Sequence, residues 1–296
     1  MKYKFVLWGL GALYNRLFNS IKYFEEIGAI EITAVTDNHF SLGSHIDNYS
    51  LVQPKDIVNV EYDYIVILSS KFFNEIRREL IETGADSNRI LSYRFLEIPN
   101  VNVDKYIQLK NSNLSIVSNN CWGGIIYKTL GLECLSPFKN LYLNDHEYIK
   151  LLSRLAYYLS CEPVLYKYIY DDSRNIEYPI LRLDDILVYC NHDVDAEEAI
   201  SKWKRRNKKF NSQSIFVEMY TSSRDIAKEF SELNQYSKKI CFVPFQTESP
   251  YLMELEMYEK HHAFWETVNS NAAGGANALK YNPVDLLCME KCIRGA

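Results

Sequence analysis

A chain of 296 residues, 47% hydrophobic and 24% charged, has room for two α/β domains of ordinary size and the make-up of a globular protein. A net charge of −5 excludes the strong positive field that nonspecific nucleic-acid binding needs, and no apolar run approaches the length that spans a bilayer. Most of the 23 tyrosines and 14 phenylalanines are expected in the core and on half-buried surface, so their number alone does not indicate a carbohydrate site.

Lys2 and Lys4 precede Phe5–Trp8 much as in a secretory leader. Gly9 and Gly11 interrupt that run and no small-residue cleavage site follows, so no leader is predicted. Lys4–Trp8 reads as a strand. Leu13, Leu17, Ile21 and Phe24 recur at helical spacing and predict a helix over Ala12–Ile27, closed by Gly28. Strands follow at Ile30–Thr36, Tyr64–Leu68 and around Ile90–Leu91, with a helical turn at Pro54 and a helix over Lys71–Thr83. This order predicts a parallel, Rossmann-like domain over residues 1–98. Pro99–Asn113, polar and with four asparagines, reads as a connecting segment over 99–113.

Gly9 and Gly11 stand between the first strand and the first helix, where backbone amides can approach a phosphate. Asp37 ends the second strand, where a carboxylate can hold a ribose diol. Tyr14 replaces the glycine that usually lets helix and strand pack closely, so a turn without cofactor is equally compatible with the pattern. Asp37-Asn38, Gly43 and the Tyr64–Ser69 strand resemble Rossmann-like modules attached to sugar-modifying enzymes of surface-glycan pathways. That resemblance implies a nucleotide or nucleotide-sugar ligand, or a scaffold alone. S-adenosylmethionine uses a related turn, and no hydride acceptor site or proton donor indicates redox chemistry.

The second half, residues 114–296, reads as an α/β domain. It opens with a strand at Leu114–Val117 and a helix over Ile125–Leu130. Asn144 starts a helix running through Ser160, with Glu147 at the capping-box position. Strands at Val164–Tyr168 and Ile186–Cys190 precede a helix from Asp195 to about Lys208. A strand at Ser214–Met219, a helix over Ser223–Leu233, a strand at Lys239–Val243 and a last helix begun at Pro283 complete it.

Ser118-Asn119-Asn120-Cys121-Trp122-Gly123-Gly124 occupies a strand-to-helix turn, where open α/β sheets bind ligands. Among seven scattered cysteines, only Cys121 has this placement, and a helix N-terminus favours thiolate. His192, at another strand end, is its candidate base. Lining a pocket and simple packing of the turn are the competing roles for Cys121. The absence of C-x-x-C pairs and the scattered thiols fit a reducing cytoplasm and no zinc ribbon. Asn191-His192-Asp193 and Glu259 with His261 and His262 lack metal-ligand spacing, so no metal is predicted. Asp184-Asp185 is similar to the acidic pair of glycosyltransferases, although adjacent aspartates are common in turns. Lys202, Lys204, Arg205, Arg206, Lys208 and Lys209 end a helix and complement its dipole. Arg206 shares a face with Trp203 and is the candidate anion contact. Nothing in the sequence fixes an oligomeric state.

From Leu114 onward the chain resembles a bacterial family associated with exopolysaccharide biosynthesis. The matching pieces are Ser118–Gly124, Ser136-Pro137-Phe138, the Asp145–Leu152 helix, Ile186–His192, and Trp203 with Arg206. Lys209 departs from the arginine of that family, which loses a two-point contact if a phosphate binds there. The resemblance implies a cytoplasmic protein that acts by group transfer on a nucleotide- or phosphate-linked sugar. Asn119, Asn120, Trp122 and Arg206 would then bind substrate, and Cys121 and His192 would be catalytic. A non-catalytic binding or assembly protein of the same pathway, and a nucleotide- or S-adenosylmethionine-dependent enzyme using the glycine turn, are the alternatives.

Overall fold

The computed structural model describes residues 2–39, 45–257, 263–273 and 281–289. Gly43, Glu259, His261 and His262, considered above, lie outside the described residues. The chain forms two compact units, the first made mainly of residues 1–111 and the second mainly of 112–128 and 133–274.

In the first unit, β1 (Tyr3–Trp8), α1 (Ala12–Glu26), β2 (Ile30–Thr36), β5 (Tyr64–Ile67), α2 (Phe73–Glu82) and β6 (Ile90–Ser92) follow the predicted order. A small hairpin, β3 (His45–Ile46) and β4 (Tyr49–Ser50), intervenes. The four long strands pair in parallel in the order β2-β1-β5-β6. Val6, Trp8, Ile65, Ile67, Ile76 and Leu80 pack one core cluster, as expected of strands covered on both faces. The polar stretch read as a connector holds a helix, α3 (Val103–Asn111), because Val103, Tyr106, Ile107 and Leu109 present a buried face.

The second unit has two sheets. β7 (Ser115–Ser118), β11 (Ile215–Tyr220), β12 (Lys239–Val243) and β13 (Leu252–Glu254) form a parallel sheet in the order β13-β12-β11-β7. β8 (Val164–Asp171), β9 (Ile176–Leu183) and β10 (Ile186–Tyr189) form an antiparallel meander. The helices are α4 (Trp122–Leu130), α5 (Asp145–Ser153), α6 (Leu155–Ser160), α7 (Ala196–Asn207), α8 (Arg224–Ser231), α9 (Phe264–Ala273) and α10 (Pro283–Cys288). Val117, Val217, Met219 and Cys241 from the parallel sheet share one core with Leu181, Leu183, Ile186 and Val188 from the meander.

β9 has no counterpart in the sequence-based reading. It is the central strand of the meander yet contains Pro179, which cannot donate to a ladder and argues against a central strand. The single helix predicted through Ser160 is two, because Arg154 leaves helical geometry (φ −140°, ψ 41°). The break lets Tyr158 bury its ring and donate to Asp185 Oδ1 at 2.7 Å. Helix starts were legible: Asp195 accepts from the Glu198 amide at 2.7 Å and Ser223 from the Ile226 amide at 3.3 Å.

Gly123 fixes how closely α4 approaches β7. A Cβ there would meet Ile116 Cγ2 at 3.0 Å and Ser118 Cβ at 3.3 Å. Both are buried strand residues with little freedom to retreat. Gly123→Ala should therefore destabilise the fold by about 1–3 kcal/mol, the usual cost of overpacking. Urea unfolding of the variant checks it, and an unchanged midpoint would show that the turn absorbs the methyl.

Candidate functional site

The turn after β7 is held from below by a carboxyl group. Glu218 on β11 is the register partner of Ser118 and is fully buried. Ser118 Oγ bonds to its carboxyl, and Asn120 Nδ2 donates to both carboxyl oxygens at 3.0 and 3.1 Å. Asn120 Nδ2 also reaches Asn119 Oδ1 at 2.7 Å, while Asn120 Oδ1 accepts from the Trp122 amide at 2.7 Å and starts α4. Asn119 Nδ2 donates to the Tyr220 carbonyl and its Oδ1 accepts from the Tyr220 amide, each at 3.2 Å. Asn119 and Asn120 are thus 0% and 3% exposed, and their amide groups serve these internal bonds.

Trp122 also lies in the core. Its ring stacks near Phe216 at 6.0 Å, and its Nε1 donates to the Tyr281 hydroxyl at 2.8 Å. Cys121 differs from its neighbours, because its side chain reaches partly to solvent. Its Sγ lies 3.1 Å from Nε2 of His192, 71 residues away in sequence. The two arrive from different sheets: Cys121 follows a parallel strand, and His192 follows the last strand of the meander.

Burial pushes the Cys121 thiol up to about 11, with the Arg174 guanidinium opposing the rise. The thiolate expected from the helix terminus is therefore overridden by desolvation. Burial of the ring, aided by Arg174, also holds His192 below the ordinary imidazole value. Near neutral pH the pair is a protonated thiol and a neutral imidazole, and the imidazole tautomer decides which of them donates. Cys190 and Cys241 are buried, as their strand positions predict, and burial raises both thiols further.

Arg174 is a residue that the sequence pattern did not single out. It sits on the turn between β8 and β9, where its Nε donates to Asp171 Oδ2 at 2.7 Å and its Nη1 to the Asn191 carbonyl at 2.9 Å. Asn191 Oδ1, next to His192, is buried without a hydrogen-bond partner. On the other side of the turn, Asp145 at the start of α5 accepts from the Thr221 hydroxyl, and burial raises its pKa. Glu218 and Arg174 escaped notice for opposite reasons. The first hides in an apolar strand, Ile-Phe-Val-Glu-Met-Tyr, and the second in an ordinary polar turn.

The remaining sequence candidates lie elsewhere. Arg206 does share the inward face with Trp203, and its Nη1 donates to the Lys139 carbonyl at 3.0 Å. Around it Lys202 pairs with Asp193 and Glu198, and Lys209 with Glu133. In the first unit Gly9 adopts φ +109°, and a Cβ there would meet the Leu68 carbonyl oxygen at 3.1 Å. Asp37 Oδ2 accepts from the Leu10 amide at 2.9 Å and so braces the turn. Gly11 precedes α1, and Tyr14 is buried with its hydroxyl donating to Asp47 Oδ2 at 2.8 Å. Asp184 and Asp185 are engaged by Tyr157, Tyr158 and Lys150. Among the described residues no three His, Cys, Asp or Glu side chains converge on a metal position, and no helix is long and apolar enough to cross a membrane.

Residues 92–287 match the family model described as a domain of unknown function, DUF1919, and residues 1–91 match the model of C2185-like N-terminal domains. The first match covers more than half of the chain, which therefore belongs to the DUF1919 family. An uncharacterized protein of Haemophilus influenzae is 26% identical over 146 residues, covering 49% of this chain and 66% of that relative. The matched region thus spans just under two thirds of the relative's length.

Burial raises the Glu218 carboxyl from 4.5 to about 8, although Ser118 and Asn120 oppose the shift. The folded state holds this proton more tightly than the unfolded chain. Its contribution to stability is complete below pH 4.5 and is lost as pH rises toward about 8. Within that window one such proton gives a slope on the order of 1.4 kcal/mol per pH unit. Glu218→Gln, which keeps the shape without the charge, should flatten the dependence. Urea unfolding of both proteins between about pH 5 and pH 8 measures it, and identical slopes would mean that Glu218 does not titrate there.

Proposed function

We propose that the chain is a group-transfer enzyme acting on a nucleotide- or phosphate-linked sugar, with Cys121 as nucleophile and His192 as its base. The observation that carries this reading is the 3.1 Å separation of Sγ and Nε2. A thiol and an imidazole in hydrogen-bond contact are the minimum equipment of covalent catalysis by cysteine. Because the resting pair is neutral, the thiolate forms as the substrate arrives. His192 takes the thiol proton while sulfur bonds to the sugar carbon. The carbon–oxygen bond to phosphate breaks, its electron pair leaves with the phosphate, and His192 passes the proton to it. An acceptor hydroxyl then displaces sulfur, and its proton returns through His192 to Cys121.

Arg174 supports an anionic substrate. Asp171 and the Asn191 carbonyl hold one side of its guanidinium, which leaves donors for phosphate oxygens. Arg206, with Nη1 on the Lys139 carbonyl, is a separate candidate anion contact. Asn119 and Asn120 hold the turn that carries Cys121, and Trp122 supports it from the core. In the first unit the turn at Gly9, Gly11 and Asp37, on a Rossmann-like domain, supports a separate alternative, a nucleotide- or S-adenosylmethionine-dependent enzyme that uses that turn. The resemblance of Ser118–Gly124, Trp203 and Arg206 to an exopolysaccharide-associated family supports a cytoplasmic role in surface-polysaccharide assembly. A second reading, a non-catalytic binding protein of the same pathway, draws on the raised thiol pKa.

Alkylation separates the two. In the wild type, brief iodoacetamide treatment should modify Cys121 before Cys190 and Cys241, which are buried. His192→Ala should slow that modification roughly tenfold near neutral pH, since the base is lost. Peptide mapping by mass spectrometry gives the rates, and equal rates in both proteins would leave the binding reading.

Ligand class is tested by thermal shift with nucleotides, sugar nucleotides, S-adenosylmethionine and NAD. A ligand at about 100 times its dissociation constant stabilises the fold by roughly 2.7 kcal/mol. Arg174→Gln should weaken a sugar nucleotide by roughly tenfold or more, and Arg206→Lys reports whether the second guanidinium contributes. Unchanged affinity in both variants would remove the anion-binding assignment.

A further inference from the structure

β8 is the outer strand of the meander. β9 pairs with one of its edges, and among the described residues no strand pairs with the other. An unpaired edge of eight residues is a template for further pairing, which folded chains ordinarily limit by shortness, charge or cover. This one is long and apolar. Val164, Leu165, Tyr166, Tyr168 and Tyr170 are between 37% and 52% exposed. The bulge between Leu165 and Lys167 blunts only its first part.

We propose that residues 167–171 of β8 form a homodimer interface, pairing antiparallel with the same segment of a second copy about a two-fold axis at Ile169. The argument for this occupant is charge complementarity. Lys167 and Asp171 are the only charged residues of the strand, and they lie equally far from Ile169 on either side. Pairing about Ile169 therefore sets Lys167 against the partner subunit's Asp171, and the reciprocal pair forms as well. The same register sets Tyr168 against the partner subunit's Tyr170, twice. Any other antiparallel register of β8 on itself leaves Lys167 and Asp171 opposite uncharged residues or puts like charges together. Opposite charges and aromatic pairs are the combinations that stabilise directly facing residues of two strands. Asp171 Oδ1 already accepts from the Ser173 amide and hydroxyl and from the Arg174 amide, and Oδ2 accepts from Arg174 Nε, which leaves one lone pair of Oδ2 for an ammonium group. Two three-stranded meanders would join into one continuous sheet, and the closed two-fold contact would remove the free edge. This assignment does not rest on the chemistry at Cys121, although Asp171 serves both, since it also holds Arg174.

The test is light scattering behind size exclusion on the full chain over a range of concentrations. The wild type should run as a dimer. Lys167→Glu and Asp171→Lys should each weaken association roughly tenfold or more, and the double variant should restore it. Thermal melts establish that the variants fold. If a reversal prevents folding, Ile169→Cys gives the second measurement, because oxidation should link two copies through the axis. A wild type that is monomeric throughout overturns the proposal. So does a dimer unaffected by either reversal, a folded double variant that stays monomeric, or Ile169→Cys that gives no more linked dimer than the wild type.

Discussion

The carboxyl of Glu218 is the contact on which the second unit's turn depends. A fully buried acid ordinarily costs stability unless it is neutral or fully bonded. Here burial keeps it protonated up to about pH 8, and Ser118 and Asn120 satisfy its oxygens. The group therefore sits in the sheet as a polar rivet between β7 and β11. Asn120 passes the constraint onward, since the same side chain bonds Glu218 with its nitrogen and starts α4 with its oxygen. Tyr148 adds a second brace beneath the turn, with its hydroxyl within hydrogen-bond distance of the carbonyls of Val117 and Glu218, at 2.8 and 2.7 Å, for its one proton. Gly123 is required by the same closeness, whereas a Cβ at Gly124 would meet the side chains of Asn140 and Lys139.

Fixing the turn fixes Cys121, and the meander supplies what the turn lacks. A parallel strand end offers amides and a thiol but no base. His192 comes from the antiparallel sheet, and Arg174 comes from that sheet's first hairpin, so the pair is completed by a second, differently built layer. Desolvation then raises the thiol and lowers the imidazole together. That combination favours the neutral hydrogen-bonded pair over the ion pair of constitutively reactive cysteines. Such a thiol stays protonated at rest, so attack through its sulfur would draw on a neighbouring base to take the proton.

Much of the architecture was legible because the relevant signals are local. The alternation of strands and helices marked the first unit's sheet as parallel, and Asp195 and Ser223 marked helix starts by their own side-chain bonds. The misses arise where tertiary context overrides local pattern. Pro179 sits in a central strand, Arg154 breaks a helix whose spacing is otherwise regular, and α3 hides in an asparagine-rich segment. The site divides in the same way. Cys121 and His192 stood out as strand-end residues with chemical capacity. Their 3.1 Å contact depends on two sheets packing on one core, which no periodicity encodes. Asn119, Asn120 and Trp122 drew attention for their polarity and size, and those same properties hold the turn together.

Glu218 shows why a buried acid evades a reading by composition. In a strand that is apolar before and after it, a lone carboxylate looks like an exposed residue on an edge. β11 instead lies between β7 and β12, and the face on which Glu218 stands is covered, so the side chain is fully buried. The only resolution is internal pairing, and the partner has to be a donor on the neighbouring strand or just past its end. Ser118 and Asn120 stand at those places. The polar character of Ser118-Asn119-Asn120, first noticed as a possible ligand surface, thus has a sufficient cause in the acid beneath it. Cys121 is the member of the turn that this cause leaves unexplained, since neither Glu218 nor the core requires a thiol there.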